Sequence, residues 1–446
     1  MLRTRKWLGL AAAALAVQLH GAQADEPTAE AAGRGEESFA VHGQFTYVEQ
    51  ETSGFRAPYS GPNSLSANRG AETADATLFM GARLWPGAEG WLDGELDQGF
   101  GLDDTLGVAG FPSGEAYKVG RNQPYLRLPR LFVRQTLNLD AARRNVDASA
   151  NQLGGSYSDN RVVITAGKFA VSDLFDTNQY AHDPRGDFLN WAAVDAGTFD
   201  YAADAWGYTV GAAVEWYQNS WTLRAGVFDL SDVPNSPHLD PGFHEFQYVA
   251  ELEHRHEIAG RSGRVLITAY DSRGRMGLLD AAVSVAEATG NPVDIAAVRR
   301  YRDRTGLSLG LEQELTPHLG LYARLGKAGG NVEPYEFTDI DRTASAGISL
   351  KGSGWKRPDD TVGAAAIDNG ISAARERYLA AGGLGILVGD GRLPHPGNEQ
   401  ILETYYSFAL SRAARLSLDY QWISHPAYNR DRGPVSVVAV RLHAQF

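Results

Sequence analysis

The sequence contains no cysteine among its 446 residues. The absence of thiols excludes a disulfide framework and every metal site built on thiolates. Basic residues are also in deficit, since 41 Lys and Arg face 54 Asp and Glu, for a formal net charge of −13. This surplus of negative charge argues against nucleic acid as a partner. Aromatic residues are not scarce, at 10%, so the chain is not expected to be disordered.

Long apolar runs are equally rare. The run from Trp7 to Leu19 follows three basic residues and precedes the small-x-small site Ala22-Gln23-Ala24. This pattern is typical of a secretory signal peptide, so we expect residues 1–24 to be removed and residues 25–37 to form a flexible acidic segment. No other stretch approaches the roughly 20 apolar residues that a membrane-spanning helix needs. Any crossing of a membrane must therefore be made by a β-barrel.

The end of the chain, from Val435 to Phe446, alternates in character with a period of two. One face carries the apolar residues Val438, Val440, Leu442, Ala444 and Phe446, and the other carries Arg441, His443 and Gln445. Successive side chains of a strand point to opposite sides, so one face suits lipid and the other water. A last strand of this kind that ends in phenylalanine resembles the closing strand of bacterial outer-membrane barrels.

About sixteen segments share this two-residue period, and most are near the ten residues that a tilted membrane strand needs. They are 38–48, 75–84, 89–98, 130–139, 161–169, 204–216, 220–229, 245–256, 263–271, 304–314, 319–327, 342–351, 361–367, 399–410, 414–423 and 435–446. We predict that 38–446 forms one all-β domain, a transmembrane antiparallel barrel of about sixteen strands.

The connections alternate in length. Tight turns such as Trp85-Pro86-Gly87-Ala88 fall at one end, and links of about thirty residues, such as 99–129 and 170–203, fall at the other. Short periplasmic turns with long extracellular loops are the outer-membrane pattern, which predicts that the chain resides in the bacterial outer membrane, in contact with its lipids. The long polar link 140–160 is an exception at the periplasmic end, where it forms either a tolerated excursion or a small plug.

Tryptophans near strand ends predict an aromatic girdle at the membrane interfaces. The candidates are Trp85, Trp91, Trp206, Trp216, Trp221, Trp355 and Trp422.

Four blocks of sequence resemble the carbohydrate-selective porin family of the OprB type. They are GKFAVSDLFDTNQYAHDPRGDFLNWA (167–192), a block spanning 290–326, the turn WKRPDDTVG (355–363), and the tail 382–446. The resemblance covers most of the chain from Ala166 onward. It implies a sixteen-stranded channel that admits neutral monosaccharides and small oligosaccharides by facilitated diffusion.

The loop after the fifth strand is dense in the residue types that a sugar channel needs. Arg and Lys donate hydrogen bonds to hydroxyl groups, carboxylates accept them, and an aromatic face covers the apolar side of a pyranose. We expect this loop, near 170–203, to fold inward as the constriction; the alternative is a solvated surface loop. The predicted constriction residues are Lys168, Asp173, Asp176, Asp183, Arg185, Asp187 and Trp191.

Strand residues of both signs are predicted to face the lumen, among them Arg134, Arg224 and Arg324, which we add to the constriction. The others are Asp93, Glu95, Asp97, Glu251, Glu253, Glu312, Glu403, Arg415, Asp419 and Arg441. A wall of mixed sign favours neutral solutes over anions. The alternative for each residue is a charge that pairs with its cross-strand neighbour and holds the barrel together.

Other functions have weaker signals. A general porin for small hydrophilic solutes, a barrel enzyme and an adhesin displaying Arg185-Gly186-Asp187 stay open as alternatives. His254 and His256 lie near Glu253 and Glu257, but at a strand end where polar residues are common. Ser424, His425 and Asp431 lack the nucleophile elbow of a hydrolase. We therefore predict no catalysis, no cofactor and no metal. A closed barrel needs no partner to cover its edges, so both a monomer and a homotrimer are compatible with the sequence.

Overall fold

The computed structural model describes residues 36–446, and residues 37–446 form one compact unit. The predicted signal peptide and all but the end of the acidic segment lie outside the described residues. Among the described residues, no helix is long and apolar enough to span a lipid bilayer.

Sixteen antiparallel strands close into a barrel in which the last strand pairs with the first strand on one side and with the strand before it on the other. The barrel strands are β1 (Phe39–Thr52), β2 (Gly70–Trp85), β3 (Ala88–Gly99), β4 (Arg121–Asn138), β7 (Arg161–Phe169), β8 (Thr209–Gln218), β9 (Trp221–Asp229), β10 (Phe246–Ile258), β11 (Arg261–Met276), β12 (Arg300–Thr316), β13 (Leu319–Ala328), β14 (Arg342–Gly352), β15 (Arg357–Gly370), β16 (Glu399–Ala409), β17 (Ala414–Ser424) and β18 (Val435–Gln445). The predicted sixteen-strand barrel is confirmed.

Many strands alternate between an apolar outer face and an inner face that carries charged or polar side chains, as the two-residue period predicts. In β3, Leu92 and Leu96 are exposed on the outside, whereas Asp93, Glu95 and Asp97 are buried on the inside. This inversion of the usual burial rule is what a membrane barrel requires, because lipid replaces water around the outer wall.

Several predicted strand boundaries are wrong, and two of these lie beside the loops inside the barrel. β8 begins at Thr209 instead of residue 204, since residues 204–208 belong to the preceding loop. β4 extends back to Arg121, into the segment predicted as part of the long link 99–129, and contains Pro124 and Pro129. The ladder between β3 and β4 is irregular beside Pro129, between Asp93 and Glu95, and proline is tolerated in a strand at such bulges.

Four tryptophans of the predicted girdle are exposed near strand ends: Trp85, Trp216, Trp221 and Trp355. Two others are not part of it. Trp91 is buried on the inner face of β3, and Trp206 lies in a loop where its Nε1 donates to Tyr125 Oη.

Long loops and short turns occupy opposite ends of the barrel, called here the loop end and the turn end. The loops contain three α-helices, α1 (Trp191–Val194), α2 (Leu279–Thr289) and α3 (Ala373–Ala380). The long link at the turn end, between β4 and β7, carries a separate two-stranded hairpin of β5 (Arg144–Val146) and β6 (Gly155–Tyr157).

Candidate functional site

Two cavities lie in series inside the barrel. The loop-end cavity has a volume of about 530 Å³ and is lined mainly by loop residues, including Tyr117, Trp191 and Trp206. The turn-end cavity has a volume of about 610 Å³ and is lined by inner strand residues together with the β5–β6 hairpin. Of the residues that the structure describes, Arg130, Asp173, Thr177 and Arg185 line both cavities. These four residues mark the place where the cavities meet.

Arg130 and Asp173 form a bidentate ion pair at this meeting point. Arg130 Nε lies 2.8 Å from Asp173 Oδ2, and Nη2 lies 2.6 Å from Oδ1. A second carboxylate, Asp93, lies 3.5 Å from Arg130 Nη1. Burial alone would raise the pKa of Asp173, but the guanidinium of Arg130 holds it below its ordinary value. The pair therefore offers charged donors and acceptors side by side.

Arg185 approaches the same point from the loop. Its Nη2 lies 2.9 Å from Glu115 Oε1, and its Nη1 lies 3.7 Å from Asp183 Oδ1. Burial alone would lower the pKa of Arg185, but Glu115, Asp75 and Asp183 raise it well above its ordinary value. The guanidinium is therefore charged at every physiological pH.

The segment 170–203 is tied to the inner faces of the strands through its backbone. The amide of Asp176 donates to Glu251 at 2.7 Å, that of Gln179 to Glu312 at 2.7 Å, and that of Leu189 to Glu403 at 2.5 Å. Several of the predicted lumen charges are thus anchors for this segment.

Arg324 and Asp176, two of the predicted constriction residues, form one of these anchors. Arg324 Nε lies 3.3 Å from Asp176 Oδ1, while its Nη1 and Nη2 donate to the carbonyl oxygens of Ala193 and Ala181 at 2.7 and 2.8 Å. Only 1% of the Arg324 side chain is exposed. Its role is therefore to hold the segment, since a solute cannot reach it.

The remaining predicted loop residues lie around the loop-end cavity or behind it. Trp191 is buried, stacks on Tyr201 with 6.3 Å between ring centroids, and lines the loop-end cavity, as does Asp183. Asp187 accepts a hydrogen bond from the amide of Asp183, and burial together with the charge of Asp183 raises its pKa to about 6.

Arg134 and Arg224 line the turn-end cavity, away from the meeting point. Arg134 Nη1 lies 2.9 Å from Glu89, and Arg224 is surrounded by Glu215, Glu251 and Glu253 at 2.7–3.0 Å.

Lys168 is not placed in the lumen. It pairs across the sheet with Leu131 and Val210, which are both exposed on the outer surface, and its Nζ lies 3.1 Å from Asp204. The alternation of side chains along β7 puts Lys168 on the opposite face from Phe169, which is buried inside. This part of the predicted constriction is therefore corrected.

An aromatic wall above the meeting point was missed from the sequence. The guanidinium of Arg127 lies 5.2–5.6 Å from the ring centroids of Tyr117, Trp206 and Tyr208. Arg130 lies 5.0 Å from Tyr208. The sequence contains a signal that Arg127 and Arg130 face the lumen, because each is followed by a leucine that faces outward. The prolines of β4 interrupt the two-residue period and hide this signal.

The residues of the other two candidate sites, the histidine pair of β10 and the group near Ser424, do not come together. His254 packs on the Trp221 ring at 4.2 Å, whereas the neighbouring Glu253 faces inward to Arg224. Asp431 pairs with His395 at 3.0 Å, while His425 lies against the Asn398 carbonyl.

A family model described as "Carbohydrate-selective porin, OprB family" matches residues 63–446. Among solved structures, the chain is similar to the high-pH structure of Pseudomonas putida OprB, with a TM-score of 0.69 and 14% identity over 92% of this chain and 94% of that chain. The low-pH structure of Pseudomonas putida OprB gives a TM-score of 0.49 and 11% identity over 99% and 98% of the two chains. Pseudomonas aeruginosa OccK8 (OprE) gives 0.45 and 11% over 92% and 98%. No curated protein matches in sequence.

Proposed function

Because the chain belongs to the OprB family of carbohydrate-selective porins, we propose that Arg130, Asp173, Thr177 and Arg185 form the constriction at which a neutral sugar is selected. The observation that carries the proposal is that these four residues line both cavities of the outer-membrane channel. A solute that crosses from the loop end, which is extracellular, to the periplasmic turn end passes between them.

The chemistry at this point suits polyhydroxylated solutes. The free N–H groups of Arg130 and Arg185 donate to hydroxyl oxygens, and Asp173 and the Thr177 hydroxyl accept from hydroxyl groups. Such exchange of hydration for hydrogen bonds to the wall permits passage, provided that no single site binds too tightly. The aromatic wall of Tyr117, Trp206 and Tyr208 lies just outside, where it covers the apolar face of a pyranose.

Neutral solutes are favoured because each cation at the constriction has its own carboxylate. Arg130 is paired with Asp173 and Arg185 with Glu115. The constriction therefore carries both signs close together, and neither anions nor cations meet a ring of charge of one sign. Transport is passive, driven by the concentration gradient.

Removing either arginine should widen the passage. We expect Arg130→Ala and Arg185→Ala to raise the swelling rate of proteoliposomes in a disaccharide relative to glucose, because both steric narrowing and hydrogen-bond selection are lost. The matched control is Lys168→Ala, which removes a cation from the outer surface.

Liposome swelling with glucose, a disaccharide and an organic anion gives the readout. If both arginine variants discriminated between glucose and the disaccharide as the natural chain does, these residues would not form the constriction. If the organic anion passed through the natural chain as fast as glucose, the chain would be a general porin instead.

A further inference from the structure

The link 139–160 is the longest turn-end connection within the described residues, and its tip points into the barrel. Ser149 and Gln152 form a bridge that closes the tip, between the strands β5 and β6. Leu153, just beyond the tip, is completely buried. A turn that merely protruded into the periplasm would have no reason to bury an apolar residue against the barrel.

Three hydrogen bonds fasten the tip to inward-facing groups. Asn151 Nδ2 donates to Asp93 Oδ2 at 3.0 Å, and Arg134 Nη1 donates to the Asn151 carbonyl at 2.8 Å. The amide of Leu153 donates to Glu89 Oε2 at 3.0 Å. Asp93 and Glu89 are buried on the inner face of β3, so the tip lies in the path of water through the barrel.

The tip also reaches the constriction. The Asp93 Oδ2 atom that accepts the hydrogen bond from Asn151 also lies 3.5 Å from Arg130 Nη1. The hairpin lines the turn-end cavity together with inner-face residues of the barrel strands, among them β4, β7, β8 and β9. The lining residues from the hairpin are Arg144, Val146, Ser149, Ala150, Asn151, Gln152 and Tyr157.

We propose that residues 139–160, named here the periplasmic hairpin, close the turn-end half of the lumen into a second sugar-binding chamber and act as a filter on the exit side. A sugar that leaves the constriction meets Arg144, Gln152 and the Tyr157 ring of the hairpin, together with Arg161 and Tyr217 of the barrel strands. These donors and aromatic faces bind hydroxylated rings in the same way as the constriction does. That the solute is a sugar rests on the proposed function. The narrowing of the pore by the hairpin does not, since it also lowers the conductance for ions.

Neighbouring residues of β5 provide a matched pair for the test. Val146 lines the turn-end cavity, whereas Asn145, on the other face of the strand, is exposed and does not. Because the chain has no cysteine, Val146→Cys and Asn145→Cys each carry one thiol. After reaction with a bulky, charged thiosulfonate, confirmed by mass, we expect the KCl conductance of single channels to fall about twofold in Val146→Cys only, because a charged group now narrows the pore.

An equal fall in both labelled variants, or no fall in labelled Val146→Cys, overturns the proposal. A second variant replaces residues 141–157 with two glycines and should raise the KCl conductance and admit larger oligosaccharides in the swelling assay. Unchanged conductance of a folded barrel also overturns the proposal, and if this variant does not fold, the labelled pair decides. A chain that conducts ions but passes no sugar would contradict the proposed function while leaving the conductance test of the hairpin intact.

Discussion

Exposure separates the arginines that can meet a solute from those that hold the structure. Arg130 and Arg185 keep 15% and 22% of their side chains exposed, whereas Arg304 and Arg324 keep at most 1%. All four are paired with carboxylates, so pairing alone does not distinguish them. The sequence showed which residues carry charge, but the exposure of each depends on how closely the loops pack over it.

His182 in the loop gives a prediction on pH. Burial alone would lower its pKa, but Asp195, with Oδ1 3.2 Å from Nδ1, raises it from 6.5 to about 9. A folded-state pKa above the ordinary value means that the bound proton stabilises the fold; this contribution is complete below about pH 6.5 and is lost as the pH rises through 9.

We therefore expect the melting temperature in detergent to fall between pH 7 and pH 10, and to fall less in His182→Gln. The two proteins should be measured side by side, because other groups also titrate in this range. An identical pH dependence in both would show that the Asp195 pair does not stabilise the loop.

At the scale of elements, the segment 170–203 is shaped by the barrel wall rather than by its own secondary structure. Its one α-helix, α1, has four residues, and backbone amides of the segment donate to carboxylates of β10, β12 and β16. No local pattern could have predicted these partners, because Glu403 lies more than two hundred residues away from Leu189. What the sequence did predict is the density of polar residues in a long loop, which is typical of a functional segment.

Loss of Arg324 should loosen this segment while the barrel stays closed. Arg324→Ala leaves the buried carboxylate of Asp176 without its cation and frees the carbonyls of Ala181 and Ala193, a change that costs about 3–5 kcal/mol for a buried pair. We expect trypsin to cleave the folded Arg324→Ala barrel after Arg185 faster than it cleaves the natural chain. Mass spectrometry measures the rate of this cleavage.

Arg415→Ala is the control, since Arg415 is also predicted to face the lumen but donates only to the backbone carbonyl of Asp359, an exposed residue near the start of β15. Equal cleavage rates in Arg324→Ala and the natural chain would mean that the other anchors suffice.

At the scale of the whole molecule, the barrel depends on keeping its two faces distinct. β18 closes the ring by pairing Phe45 with Ala444 and Thr52 with Val437. A shift of β18 by one residue would turn its inward side chains, including Arg441, toward lipid, so the alternating pattern itself specifies the register.

A charge at the middle of the outer face should therefore be costly. Leu252 lies at the centre of β10 and is exposed on the outside. Leu252→Arg is expected to reduce the unfolding free energy in lipid by about 2–4 kcal/mol, the range for a cation near the bilayer midplane. Leu252→Phe, which keeps the surface apolar, should change it little; similar urea midpoints for the two variants would contradict a lipid-facing position.

The strands, their faces and their closure into a barrel could be predicted from sequence because they follow from a local rule. Successive side chains alternate between two sides, and lipid and water each select one of them. The turn-end hairpin and the constriction could not be predicted in this way. Glu115 and Arg185 come from different loops, and Asn151 reaches Asp93 from a third segment. Their meeting depends on the closed barrel, since the shared interior brings residues so distant in sequence within hydrogen-bond range.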